Sequence, residues 1–125
     1  MCSSDLFYLK NNFPEAIKYF DQTRYVNLSN EQIADLKFEK AYSLFNEKEF
    51  QRSLPLFNEI HQVKSNKYYI PANYYFGFIS YYNRDYSQAL ASFRLVEKHP
   101  DYNAVVPYYV AEIYYSQGQK KEALQ

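Results

Sequence analysis

The chain has 125 residues, with 14 Lys plus Arg balanced by 14 Asp plus Glu, and it carries 16 Tyr and 10 Phe against only two Gly. Its 47% apolar content and a length near the common domain size let it bury about two thirds of its unfolded surface, so one compact domain over 1–125 is expected rather than a loop-rich or low-complexity chain. Balanced charge supplies no obvious counterion release, which excludes nucleic acid as the expected partner. The single Cys2 rules out an intramolecular disulfide framework and a Cys-rich zinc site. No apolar run is long enough to span a bilayer, and the opening Met-Cys-Ser-Ser-Asp lacks the basic and apolar parts of a secretory signal.

In chain order, the first recurring segment is 13–20, where Phe13, Ala16, Ile17 and Phe20 read aromatic, small, apolar, Phe. The same spacing returns as Phe50, Ser53, Leu54 and Phe57, then as Tyr86, Ala89, Leu90 and Phe93, at intervals of 37 and 36 residues between the opening aromatics. A fourth copy begins at 120–124 with Ala123 and Leu124. Upstream of each lies a second apolar segment, at 6–9, 33–45, 71–82 and 105–115. In the second of these, Ile33, Leu36, Phe38, Ala41, Tyr42, Leu44 and Phe45 follow the three-and-four spacing of a helix rather than the alternation of a strand. Repetition at this period outweighs the intrinsic strand preference of the Tyr-rich stretch 68–80.

Local signals agree with helix pairs over 4–26, 30–62, 71–98 and 104–125. Asn12 precedes Glu15, Ser29 precedes Gln32 and Asp85 precedes Gln88 by three residues, spacings suited to reciprocal capping of a helix N-terminus. Pro14, Pro71 and Pro107 fall in first turns, where a missing N–H does no harm. Pro55 lies about a turn inside its helix, where it removes a hydrogen bond and is expected to bend the helix or delay its start.

The repeat resembles the tetratricopeptide repeat, whose helix-turn-helix unit carries a small residue in the first helix and an Ala-x-x-x-Phe pair in the second. The matching residues are Gly77, Tyr86, Ala89 and Phe93 in the third copy, with Pro100 near the terminal proline position. They are Ala41, Phe50, Ser53 and Phe57 in the second, Phe13, Ala16 and Phe20 in the first, and Ala111, Tyr114, Gly118 and Ala123 in the fourth. The departures are Lys37, Asn73 and Pro107 where a large aromatic usually opens the first helix, and Ser53 in place of alanine. The resemblance implies an all-α fold, a right-handed α-solenoid with repeats at 1–26 (partial), 30–62, 70–101 and 104–125 (partial), cut from a longer array of bacterial style. Small residues at Ala16, Ala41, Gly77, Ala89 and Ala111 would let helix axes approach to roughly 8 to 10 Å. Phe20, Phe57 and Phe93 would fill the junctions between repeats.

Catalysis has little support in the residues. His61 and His99 occupy different places in their repeats, and neither has a second ligand at a metalloenzyme spacing. Each reads as a solvated histidine near a helix C-terminus. Gly77 and Gly118 form no phosphate loop, Cys2 reads as an incidental thiol, and Glu15, Glu39 and Glu112 read as helix-surface charges. No cofactor or metal is expected.

The resemblance places the first helices on the concave side. Their groove positions then hold Phe38, Tyr42 and Phe45, then Tyr74, Phe78, Tyr81 and Tyr82, then Tyr108, Glu112 and Tyr115. Tyrosine combines broad apolar contact with a hydroxyl at low entropic cost, which suits a protein or peptide partner. Aromatics at helical spacing in a repeat protein are equally the material of packing between helices, and both roles are open to this set. The chaperone-tail tetratricopeptide domains resemble one another in presenting Lys, Asn and Arg at these positions. Here they hold Phe38, Tyr42, Tyr74 and Phe78, which disfavours a carboxylate clamp. The leading expectation is a non-enzymatic scaffold for protein interaction. An RNA-binding helical repeat, which would need a basic inner face, and a regulatory segment of a larger enzyme are the alternatives. Apolar residues at the ends, namely Leu6, Phe7, Leu9, Tyr114, Ala123 and Leu124, predict end-to-end self-association of the chain in concentrated samples.

Overall fold

A computed structural model describes residues 12–123, with side chains through Gln117. Six helices are present in this region and no strand: α1 (Phe13–Asp21), α2 (Asn30–Asn46), α3 (Phe50–Ile60), α4 (Tyr69–Tyr82), α5 (Tyr86–Val96) and α6 (Val106–Ala123). The chain divides into two compact units at the Tyr68/Tyr69 boundary.

In the first unit α2 packs on both α1 and α3. Ala16 and Phe20 of α1 share a buried cluster with Leu36 of α2, sealed by Leu28 of the connector. Asp21, at the end of α1, receives Lys40 of α2 at 3.1 Å and Arg52 of α3 at 2.7 Å. Partial burial works to raise the Asp21 pKa, but the hydrogen bonds and charges of Lys40 and Arg52 outweigh it and hold the carboxyl below its usual value. In the second unit α5 packs on α4 and on α6, around a core of Ala89, Phe93, Val96, Val106, Val110 and Ile113.

The 36-residue repeat is written into the backbone as well as the side chains. Both α2 and α4 end with a residue in the left-handed region, Lys48 at φ 63° and Arg84 at φ 66°. In the first turn the N–H groups of Lys48 and Glu49 donate to the carbonyls of Phe45 and Leu44. In the second, those of Arg84 and Asp85 donate to Tyr81 and Ser80. This is the six-to-one and five-to-two closure that usually recruits glycine. Here a basic side chain accepts the left-handed conformation, at a cost of roughly 1–2 kcal/mol. The rings that follow obey the same period, since Phe45 meets Phe50 at 5.3 Å and Tyr81 meets Tyr86 at 6.4 Å. The packing of α2 on α3 and of α4 on α5 is therefore one design used twice.

Helix starts differ from one another more than the spacing predicts. Ser29 and Gln32 form the full reciprocal box, at 3.1 and 2.9 Å. Asn12 caps one way only, accepting from the Glu15 N–H at 3.4 Å. Asp85 makes no side-chain cap; its carboxylate takes the Gln88 side-chain amide at 3.0 Å, so the expected reciprocal box there is replaced by a side-chain pair. Ser29→Ala should cost about 1 kcal/mol, read as a shift of the urea midpoint at unchanged slope. Pro14, Pro71 and Pro107 do sit in first turns. Pro55 neither delays nor ends its helix, which runs from Phe50 to Ile60 around it. The carbonyl left without a donor belongs to Gln51, an exposed residue that water can serve.

Two expectations need correction. The separate second helix anticipated from 120 is absent, because α6 continues unbroken through Gly118 to Ala123. The segment Gln119 to Ala123 is rich in good helix formers, and one glycine costs only about 1 kcal/mol. Ala111 was expected at a close helix contact, yet it is exposed, whereas Ala16, Ala41, Gly77 and Ala89 are buried. The predicted end residues Leu6, Phe7, Leu9 and Leu124 lie outside the described residues, as does Cys2.

Candidate functional site

The residues predicted to line a groove form one stripe per first helix, at intervals of three and four. In α2 the stripe is Phe38, Ala41, Tyr42 and Phe45; in α4 it is Tyr74, Gly77, Phe78 and Tyr81; in α6 it is Tyr108, Ala111, Glu112 and Tyr115. Such spacing places each set on a single helix face. The three stripes meet different fates.

In α2 the stripe is largely packed. Phe38 is only 7% exposed. It is crossed edge-on by Phe57 at 6.0 Å and stacked on Tyr68 of the following connector at 4.3 Å, with 4° between planes. Phe38 is therefore a core ring, and its assignment to a binding face does not match its burial. Tyr42 and Phe45 are half-buried; Tyr42 lies against Phe38 and the edge of Phe13. The connector ring is itself pinned, since the Tyr68 hydroxyl donates to Asp35 at 2.6 Å and Lys67 pairs with the same carboxylate at 3.0 Å. The hydrogen bond to Asp35, reinforced by Glu31, raises the Lys67 pKa against a smaller opposing effect of burial.

In α4 the same arrangement recurs with different side chains. Tyr74 stacks on connector Tyr102 at 4.5 Å and leans on Phe93 at 6.4 Å. Burial, followed by the neighbouring Tyr109, raises its pKa. A Cβ added to Gly77 would stand 2.8 and 2.9 Å from Phe93 ring carbons, so the ring occupies the notch that the missing side chain leaves. Phe78 and Tyr81 are half-buried against Tyr109 of α6, at 5.7 and 5.4 Å. Burial, then the Glu112 charge, raises the Tyr81 pKa. Tyr82, one residue off the stripe, is 64% exposed.

In α6 the stripe is open. Tyr108 and Tyr115 are 63% and 61% exposed, and Ala111 between them is exposed too. The Tyr108 phenol hydrogen-bonds Glu112 one turn on, which holds its proton and raises its pKa. Tyr114 leaves this stripe. It is 46% exposed and receives Arg94 of α5 on its hydroxyl at 2.7 Å.

Three rings that govern these fates, Tyr68, Tyr102 and Tyr109, were not among the predicted site residues. Tyr68 and Tyr102 stand 34 residues apart in equivalent connectors, so extending the self-comparison beyond the helices would have exposed them. The histidines have local partners: His61 lies 3.2 Å from the Asn58 side-chain oxygen, and His99 accepts the Asp101 N–H at 3.1 Å. Among the described residues no group of three or more His, Cys, Asp or Glu is placed to hold a metal ion, and no helix is long and apolar enough to cross a membrane.

The class defined by these features is an all-helical protein with repeat-like packing of helix hairpins, in which one aromatic stripe recurs three times. No family model matches the sequence, and comparison with curated proteins and with solved structures returns no significant match.

Proposed function

We propose that the chain is a tetratricopeptide-like array, a right-handed solenoid of helix pairs, acting as a non-enzymatic scaffold that binds a protein segment through exposed tyrosine faces. The observation that carries this reading is the α6 stripe, where Tyr108 and Tyr115 stand more than 60% exposed on one helix face. Exposed large rings at helical spacing are costly to leave in water and are enriched in binding hot spots. Tyr82 adds a third exposed ring on α4. The repeat relation is supported by the 36-residue recurrence of the left-handed turns at Lys48 and Arg84 and by the ring pairs that follow them.

The test is capture by the chain carrying a photo-crosslinking residue at Ser116, beside the stripe. Tyr108→Ala with Tyr115→Ala should abolish crosslinking of a specific protein, while Tyr19→Ala, an exposed ring on α1, should leave it intact. Equal loss from all three substitutions, or none from the first two, would count against the proposal.

A further inference from the structure

The connector that leaves α3 is anchored to α2 by more than the packing of a ring. Glu31, Asp35 and Phe38 stand at one-turn intervals on one face of α2, and the last two residues of the connector meet all three. Lys67 pairs with Glu31 at 3.4 Å and with Asp35 at 3.0 Å. Tyr68 donates its hydroxyl to Asp35 at 2.6 Å and lays its ring on Phe38 at 4.3 Å, and the Lys67 ammonium stands 5.3 Å from the centre of that ring. In the following repeat Tyr102 covers Tyr74 by the same kind of stack, at 4.5 Å. Neither carboxylate recurs there, because 36 residues on from Glu31 and Asp35 the chain holds Lys67 and Pro71. A stacked tyrosine therefore covers a first-helix ring without the two carboxylates, and their presence in the first repeat adds a second, ionic hold.

We propose that this connector is a displaceable strap, in which Lys67 and Tyr68 occupy the α2 aromatic stripe as a ligand in cis and the ionic hold makes its release sensitive to ionic strength. This rests on the reading of the first-helix stripes as binding faces, and it makes the strap an autoinhibitory contact that withholds Phe38. The side chains of Glu31, Asp35 and Lys67 are each at least one-third exposed, so added salt screens their attraction. The stack of Tyr102 on Tyr74 is apolar contact, which salt does not screen. The withheld subsite takes a basic residue followed by tyrosine: Phe38 offers a flat face to the ring, Asp35 accepts from the phenol, and Asp35 with Glu31 pairs the cation.

The test is amide exchange of the full chain followed by NMR. The Asn66 N–H, bonded to the Val63 carbonyl at 3.0 Å, and the Asn103 N–H, bonded to the His99 carbonyl at 2.8 Å, report on the two connectors. Raising the NaCl concentration should speed exchange at Asn66 by about two- to fivefold, the effect of losing a partly exposed ion pair, and leave Asn103 unchanged. Asp35→Asn should speed exchange at Asn66 in low salt and abolish its salt response, while the amide of buried Leu44 in α2 stays as protected as before. An equal salt response at Asn66 and Asn103, an unaltered response in Asp35→Asn, or acceleration of Leu44 by the same factor would overturn the ionic strap. The withheld subsite is tested with the dipeptide N-acetyl-Lys-Tyr-amide, which should shift the Phe38 resonances of Tyr68→Ala but not those of wild type, with N-acetyl-Lys-Ala-amide shifting neither. Failure of the Lys-Tyr dipeptide on Tyr68→Ala, with circular dichroism showing the variant folded, would overturn the autoinhibitory role. The scaffold reading would then still stand or fall on the crosslinking at Ser116, which depends on α6 alone.

Discussion

Phe93→Ala should destabilise the chain by about 3 to 5 kcal/mol, the range for deleting a fully buried ring. Phe93, on α5, is 0% exposed and touches two neighbouring helices. It stacks on Tyr109 of α6 at 5.6 Å with 13° between planes, leans on Tyr74 of α4, and fills the Gly77 notch. Truncation therefore opens a cavity walled by three helices. The surrounding rings cannot collapse into it easily, because Tyr74 is held by Tyr102 and Tyr109 by Phe78. Phe57→Ala should behave similarly, since Phe57 is also 0% exposed. A loss on this scale is a large fraction of the roughly 5 to 15 kcal/mol that holds a domain together. The measurement is equilibrium urea unfolding of wild type and variants. A midpoint shift equivalent to less than about 1 kcal/mol for either residue would mean that the register of the helix hairpins is wrong.

Gly77→Ala carries a less intuitive expectation, because in an exposed helix the change stabilises by about 1 kcal/mol. Here the new methyl would approach the Phe93 ring to 2.8 Å, well inside contact distance. That ring has no free direction to move, being stacked on Tyr109. Overpacking of this kind costs about 1 to 3 kcal/mol and outweighs the propensity gain, so the net effect should be destabilising. The diagnostic step is to repeat the substitution in a Phe93→Leu background, where the flat ring no longer occupies the notch. There Gly77→Ala should become neutral or stabilising. The same sign in both backgrounds would show that the notch does not set the cost.

The two expectations draw on different depths of information. Burial of Phe20, Phe57 and Phe93 was legible in the sequence, because a small residue followed four positions later by phenylalanine lies with it on one helix face, and the pair recurs three times. The need for glycine at position 77 rather than the alanine found at 41 was not legible, because it depends on how close one particular ring approaches.

Sequence alone determined the helical class, the positions of α1 to α5 to within a few residues, the recurrence at about 36 residues, and which face of α2 and of α4 is aromatic. The helix positions and faces follow from local periodicity and from turn and cap chemistry, which act over a few residues, and the repetition of the pattern along the chain settles helix against strand where Tyr-rich stretches are ambiguous. Tertiary structure alone decided which aromatic stripe is core and which is surface. Phe38 and Tyr108 stand at equivalent positions, yet one is 7% and the other 63% exposed, because Tyr68 and Phe57 cover the first and no described helix covers the second. Exposure is a property of what packs against a residue, and that partner lies some twenty to thirty positions away in the chain, beyond the reach of any local pattern.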